Sequence, residues 1–418
     1  MPLDRRRFLQ SAAAGLAGLA WPREALAAGD PRHFIVVFAQ GGWDVTFALD
    51  PKSKPACDVP EGKRARYPGG LEIFTGPGRP SVARFFEANA RRAAVVNGLW
   101  VGSVAHAPSR ARVLTGTRSL RAPDVGAIFA AAAAEREPTL AMPYVDLGGG
   151  ARSGPLARHM GRVGATNQLV ALLDRAKAQR KGKGKGKGKG GDLGFDPDAA
   201  ERQAIEAFVE RRAALLAREP GSATVDEYRG SLARAEALRQ SPDLRGLEIG
   251  RTTSLAQQSA LAIALFQAGI ARAAYLDTRL DWDTHDDIAD QDASHEQLFA
   301  GLVALMAALD AAGLAERTTV AVLSEFSRTP KLNSQPQPGK DHWPVTSALI
   351  VGGGVRAGRY GATDDALGAL RIRLDDGRAD DRGHLLQYDN FAAGLLEHLG
   401  VSSRRWITTA EPFHGPFA

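Results

Sequence analysis

The chain has 418 residues, 44% of them hydrophobic, enough to bury the core of one large domain or two smaller ones, which excludes a largely disordered protein. The formal charge of +6 would suit nucleic acid, but the first 27 residues contribute +2 and residues 177–190 contribute +7, so the remainder carries −3 and no nucleic-acid partner is expected. Cys57 is the only cysteine, so no intrachain disulfide can form, and stability has to come from the core and from bound metal.

In chain order, the first element is Asp4-Arg5-Arg6-Arg7-Phe8-Leu9-Gln10, followed by the uncharged stretch 11–21 and the small-residue site Ala25-Leu26-Ala27. This is the pattern of a twin-arginine signal peptide over residues 1–27. Its apolar run, rich in Ala and Gly, is too short for a spanning helix, which needs about twenty residues. The expectation is a protein exported folded by the twin-arginine translocase, periplasmic or extracellular, with no permanent membrane anchor.

Short apolar runs then recur at 33–39, 93–96, 143–147, 271–276, 318–323 and 348–351 and read as buried strands. Helical patterns lie between them at 82–94, 125–134, 254–268, 294–312 and 390–399. The alternation predicts a three-layer α/β/α sandwich around a largely parallel central sheet, divided into a first part at 28–176 and a second at 251–418. Between the parts, residues 177–195 contain a strict Lys-Gly alternation, which cannot bury a core and reads as a solvated linker. Residues 196–250, rich in Ala, Glu, Arg and Leu with a break at Pro220-Gly221, read as an inserted helical hairpin.

Four segments place polar side chains just after predicted strands, where ligands gather in such sheets. Gln40-Gly41-Gly42-Trp43-Asp44 combines a glycine turn with a carboxylate, which is also the pattern of a helix cap. His106-Ala107-Pro108-Ser109-Arg110-Ala111 reads as a helix start, with His106 and Ser109 at its positive end and a stop at Gly116. Asp281-Trp282-Asp283-Thr284-His285 puts a carboxylate and an imidazole two residues apart, fit to converge on one Zn²⁺ or Mn²⁺ ion. Ser324-Glu325-Phe326-Ser327-Arg328-Thr329-Pro330 and Lys340-Asp341-His342-Trp343-Pro344 add Glu325, Asp341 and a second imidazole. Trp43, Trp282 and Trp343 flank these ligands and suit either a pocket wall or core packing.

In order and residue type, these segments resemble the alkaline phosphatase and sulfatase superfamily. More narrowly, Gly-Gly-Trp-Asp, Asp-Thr-His, Ser-Glu-Phe-Ser-Arg-Thr-Pro and Lys-Asp-His-Trp-Pro behind a twin-arginine signal look like the exported family called domain of unknown function 1501. The resemblance implies an alkaline phosphatase-like fold and two divalent ions, Zn, Mn or Ca. Asp44, Glu325 and His106 would hold one, and Asp283, His285 and His342 the other, with Asp341 joining either ion or orienting an imidazole. Two such ions clamp the attacking and leaving oxygens of an in-line displacement, and Arg110 would neutralise a non-bridging oxygen.

His106 stands where the sulfatase pattern has the cysteine or serine that becomes formylglycine, so that nucleophile cannot form. His106 as a ligand with a metal-activated water, a phosphohistidine, or attack by Ser109 remain, the first being favoured. The expected function is a metal-dependent hydrolase or transferase acting on a phosphate or sulfate ester, of a small molecule or a glycan. Its rival is a non-catalytic, metal-stabilised exported binding or scaffold protein.

Overall fold

The computed structural model describes residues 32–162, 199–216 and 254–417. The expected signal peptide, the Lys-Gly linker and the second half of the predicted helical hairpin lie outside the described residues.

An eight-stranded sheet forms the centre. Its strands are β1 (His33–Phe38), β2 (Ala93–Trp100), β3 (Tyr144–Asp146), β4 (Met160–Arg162), β5 (Ala273–Asp277), β6 (Thr318–Leu323), β7 (Val345–Gly352) and β8 (Gly358–Tyr360). They lie in the order β8-β2-β7-β6-β1-β5-β3-β4. All neighbours run parallel except that β7 is antiparallel to both β2 and β6. The sequence of β1, His-Phe-Ile-Val-Val-Phe, suits this central position because aromatic and β-branched side chains pack on both faces of a covered strand. Phe34, Val36 and Phe38 enter one core and Ile35 and Val37 the other.

Helices cover both faces and make the third layer. One side carries α1 (Pro80–Asn89), α5 (Leu255–Gln267) and α6 (Asp290–Ala311), packed through residues such as Phe85, Phe266 and Leu302. On the other lie α2 (His106–Thr115), α3 (Val125–Arg136) and α7 (Tyr388–His398), packed through Leu114, Ile128 and Leu395. Local chemistry sets their ends. The Asp124 carboxylate caps α3 by accepting from Ala127 N at 2.7 Å, Ser254 and Gln257 form a capping box on α5, and Gly116 at φ +67° closes α2, as these residue types favour.

The helix expected at 82–94 stops earlier than its apolar pattern suggested. Asn89 turns its amide back to Phe85 O at 3.0 Å, a 3-10 turn follows at Ala90–Arg92, and Ala93 already belongs to β2. In the segment read as a hairpin insert, α4 (Ala199–Leu216) is a helix with Phe208 and Leu215 exposed. No described helix is long and apolar enough to cross a membrane.

The carboxyl ends of β1, β2, β5 and β6 share one edge of the sheet. Because β7 runs the other way, its amino end reaches that edge too. The loops that follow the first four strands and precede the fifth therefore meet there.

Candidate metal centre

The turn after β1 is the base of the site. Gly41 and Gly42 adopt φ +128° and +93°, which side-chain-bearing residues rarely do. A Cβ on Gly42 would lie 2.4 Å from the Phe326 ring, and one on Gly41 2.9 Å from Asp283 N. The absence of side chains thus lets the loops after β5 and β6 close onto the turn. Gly41 N donates to Glu325 Oε1 at 2.9 Å, which satisfies part of a carboxylate that is fully buried.

Above this base, three imidazoles surround the carboxylate of Asp283. His106 opens α2, His285 follows Asp283 by two residues, and His342 comes from a two-stranded ribbon pairing Ser327–Arg328 with His342–Trp343. Each ring turns Nε2 inward: His342 Nε2 lies 3.0 Å and His285 Nε2 3.1 Å from Asp283 Oδ1, and His106 Nε2 lies 3.3 Å from Oδ2. Each ring also turns Nδ1 outward to an oxygen. His106 meets Glu325 Oε1 at 3.1 Å, His285 meets Asp341 Oδ1 at 3.0 Å, and His342 meets the carbonyl of Val104 at 2.8 Å.

The protonation pattern follows from those outer partners. A carbonyl and two carboxylates only accept, so with a cation at the centre Nδ1 would carry the hydrogen and Nε2 would present its lone pair inward. The Nε2 atoms of His285 and His342 stand 2.9 Å apart, both facing the same carboxylate oxygen. Two ring nitrogens this close must share either a hydrogen or a cation. Imidazoles held by an outer oxygen and aimed inward are the arrangement that metal-binding histidines adopt, so these residues fit a divalent ion.

Electrostatics keeps the central carboxylate charged. Burial and the charge of Arg328 lower the His342 pKa, outweighing its hydrogen bond to Asp283. Burial alone would raise the Asp283 pKa, but hydrogen bonds from Arg328 and His342, with the charge of Arg328, bring it to about 2. The carboxylate is therefore ionised at any ordinary pH. His106, His285 and Asp283 remain 37%, 38% and 41% exposed, leaving one side of the cluster open to solvent.

Of the residues singled out in the sequence, His106, Asp283, His285, Glu325, Asp341 and His342 are brought together. Glu325 and Asp341 contact imidazoles and act as their acceptors. Asp44 is placed otherwise: its Oδ1 caps the turn Val45–Phe47 by accepting from Thr46 N at 2.9 Å, and its Oδ2 takes the buried Lys340 ammonium at 2.7 Å. Expected as a ligand, it is a cap and an ion-pair partner. Ser109, considered as a nucleophile, is fully buried and donates to Ser103 O at 3.1 Å. Arg110 donates to Gln40 Oε1 at 2.6 Å, beside the glycine turn. Trp43 and Trp282 are buried, and their indole N–H groups donate to Thr346 and Thr278, whereas the Phe326 ring lies 4.3 Å from that of His342 and 5.0 Å from that of His106.

Two supporting residues escaped the sequence reading. Arg328, fully buried, donates to Gly42 O at 2.8 Å, Trp282 O at 2.9 Å, Lys340 O at 3.1 Å and Asp283 Oδ1 at 2.7 Å. Gln291, also buried, accepts from Asp44 N at 2.8 Å and donates to Trp282 O and Thr284 Oγ1, each at 3.0 Å. Arg328 lies between Ser327 and Thr329, and nothing in these polar neighbours marks it as buried in the sequence. Gln291, in the polar first turn of α6, gives no signal either.

The chain belongs to the family described as protein of unknown function (DUF1501), whose profile matches residues 31–410. Among curated proteins none matches it. It is similar to a solved protein of the alkaline phosphatase superfamily from Vibrio parahaemolyticus, at 11% identity and a TM-score of 0.39 over 96% of this chain and 76% of that one. A sulfatase from Pseudoalteromonas sp. is similar at 10% identity and 0.38 over 97% and 74%. The phosphonate monoester hydrolase of Agrobacterium radiobacter is similar at 11% identity and 0.33 over 91% and 78%.

Proposed function

We propose that this protein is a metal-dependent hydrolase or transferase acting on a phosphate or sulfate ester of a small molecule or glycan, at the cluster formed by His106, Asp283, His285 and His342. The observation that carries this reading is the common orientation of the three imidazoles, each with Nδ1 on an oxygen and Nε2 toward Asp283. A divalent ion held there supplies the positive charge that stabilises charge developing on a transferring phosphoryl or sulfuryl group.

The chain's own residues do the rest. Asp283 supplies the anionic donor, and Arg328 fixes its orientation from below. Glu325, Asp341 and the Val104 carbonyl hold the three rings in one tautomer. Phe326 covers the inner side of the His106 and His342 rings and keeps water from their faces. Arg110, one helical turn beyond His106, binds a non-bridging oxygen of the ester. His106, at the start of α2, serves as a ligand rather than as a covalent nucleophile. Export by the twin-arginine route, read from residues 4–10, fits a protein whose metal is loaded before it meets competing ions outside.

The test is turnover of aryl phosphate and aryl sulfate esters by the metal-loaded protein. The wild type hydrolyses at least one of them, His106→Ala lowers the rate about 100-fold or more, and Glu325→Gln lowers it roughly 10- to 100-fold, as loss of a ligand or its acceptor does. Bound metal without turnover on either ester would leave the non-catalytic scaffold as the better account.

A further inference from the structure

The two-ion arrangement that the family resemblance implies needs Asp44, Glu325 and His106 around one ion and Asp283, His285 and His342 around another. The first set is not free to assemble. Both oxygens of Asp44 are in use: Oδ1 accepts from Thr46 N at 2.9 Å and from Thr46 Oγ1 at 2.7 Å, and Oδ2 meets Lys340 Nζ at 2.7 Å. Both members of the ion pair are buried, at 0% and 1% exposure, so the carboxylate is closed to solvent and its charge already balanced.

Lys340 is itself fastened at both ends of its backbone. Its N–H donates to Thr284 O at 3.1 Å and its carbonyl accepts from Arg328 Nη1 at 3.1 Å. Thr284 lies between Asp283 and His285, so the same two strands of loop that present the ligands outward send the ammonium inward to Asp44. Glu325 is engaged as well, by Gly41 N at 2.9 Å and His106 Nδ1 at 3.1 Å on Oε1, with Ser324 Oγ 3.3 Å from Oε2. His106, the last member of the first set, turns its remaining nitrogen to Asp283 Oδ2. The donors of the two expected sites have thus collapsed onto one carboxylate.

Charge points the same way. Asp44 and Lys340 neutralise each other. Around the cluster, Asp283, Glu325 and Asp341 set three negative charges against the single positive charge of Arg328, and one divalent ion balances the difference. A second would leave uncompensated positive charge beside buried groups.

We propose that the chain binds one divalent cation, through His106, Asp283, His285 and His342, and that the Lys340 ammonium takes the place in charge of a second ion by holding Asp44. This rests on the metal-site reading above and replaces by one the two ions that the resemblance implies. Lys340 is therefore a positioning residue, tying the two ligand-bearing loops to the turn after β1.

The experiment is metal content per chain. The full-length protein is equilibrated with excess Zn²⁺ and, separately, Mn²⁺, freed of unbound ion, and measured by elemental mass spectrometry. One ion per chain is expected in the wild type and in the double variant Asp44→Asn/Lys340→Met, which removes both charges together, and none in His285→Ala/His342→Ala. Should the Asp44 and Lys340 double variant fail to fold, as judged by circular dichroism, the wild-type count still decides. Two ions per chain in the wild type would overturn the inference while leaving a metal-dependent site in place. No bound ion in the wild type would overturn both.

Discussion

At the scale of single residues, the site depends on groups that orient others. Arg328 shows why. A guanidinium offers five N–H donors in a rigid plane, and here they join the glycine turn, the Trp282 carbonyl, the Lys340 carbonyl and the Asp283 carboxylate. Lysine keeps the charge but has only three donors at one point, so it cannot span these partners. Arg328→Lys is expected to weaken cation binding about 10- to 100-fold, the usual effect of losing a group that orients a ligand. It should also lower unfolding stability by about 3 kcal/mol, as loss of a partner from a buried charged network does. Calorimetric titration and denaturant unfolding read the two effects, and a variant equal to wild type in both would deny Arg328 its role. The residues of the cluster were legible because Asp283, His285 and His342 are chemically conspicuous beside strands. Asp44 was ambiguous for a physical reason: a carboxylate after a turn can cap or ligate, and its ion pair with Lys340, far along the chain, shows only in three dimensions.

At the scale of elements, the principal strands and helices were visible because each is long and apolar. β1, β6 and α5 lie close to where their patterns place them. Shorter pieces were invisible. The antiparallel pair Lys63–Tyr67 and Leu71–Thr75, largely polar in its first strand, has no hydrophobic run to mark it. The same holds for the two-residue ribbon that carries His342. The direction of β7 mattered most and could not be read from its composition, since an apolar strand looks the same in either direction. Its reversal brings His342 to the edge where β1, β2, β5 and β6 end. Parallel strands alone would have required a long crossover to place that imidazole there. The glycine turn after β1 was recognised as a turn, but its function as a landing surface for Phe326 and Asp283 emerged only from the packing.

At the scale of the whole molecule, two hydrophobic cores hold the sheet, and several histidines are packed within them as neutral rings. His295 stacks on Phe47 at 5.5 Å, and burial, helped by the charge of Arg79, lowers its pKa to about 4 despite a hydrogen bond to Gln291 O. Above the unfolded value of about 6.5 the ring is neutral in both states. As pH falls below 6.5 the unfolded chain takes up a proton that the fold refuses, so stability declines until pH approaches 4. This one group removes about 2 kcal/mol between pH 6.5 and 5. His295→Gln, even if it lowers the melting temperature, should flatten its dependence on pH across that interval. An unchanged slope would show that His295 does not titrate this way. The three imidazoles meet at the Asp283 carboxylate, and the most direct test of cation binding there is the affinity of metal-free protein for Zn²⁺ measured by calorimetry in wild type and Asp283→Asn. The cluster predicts a loss of about 100-fold or more, beyond the effect of removing an orienting group, with the fold preserved; equal affinities in the two proteins would contradict it.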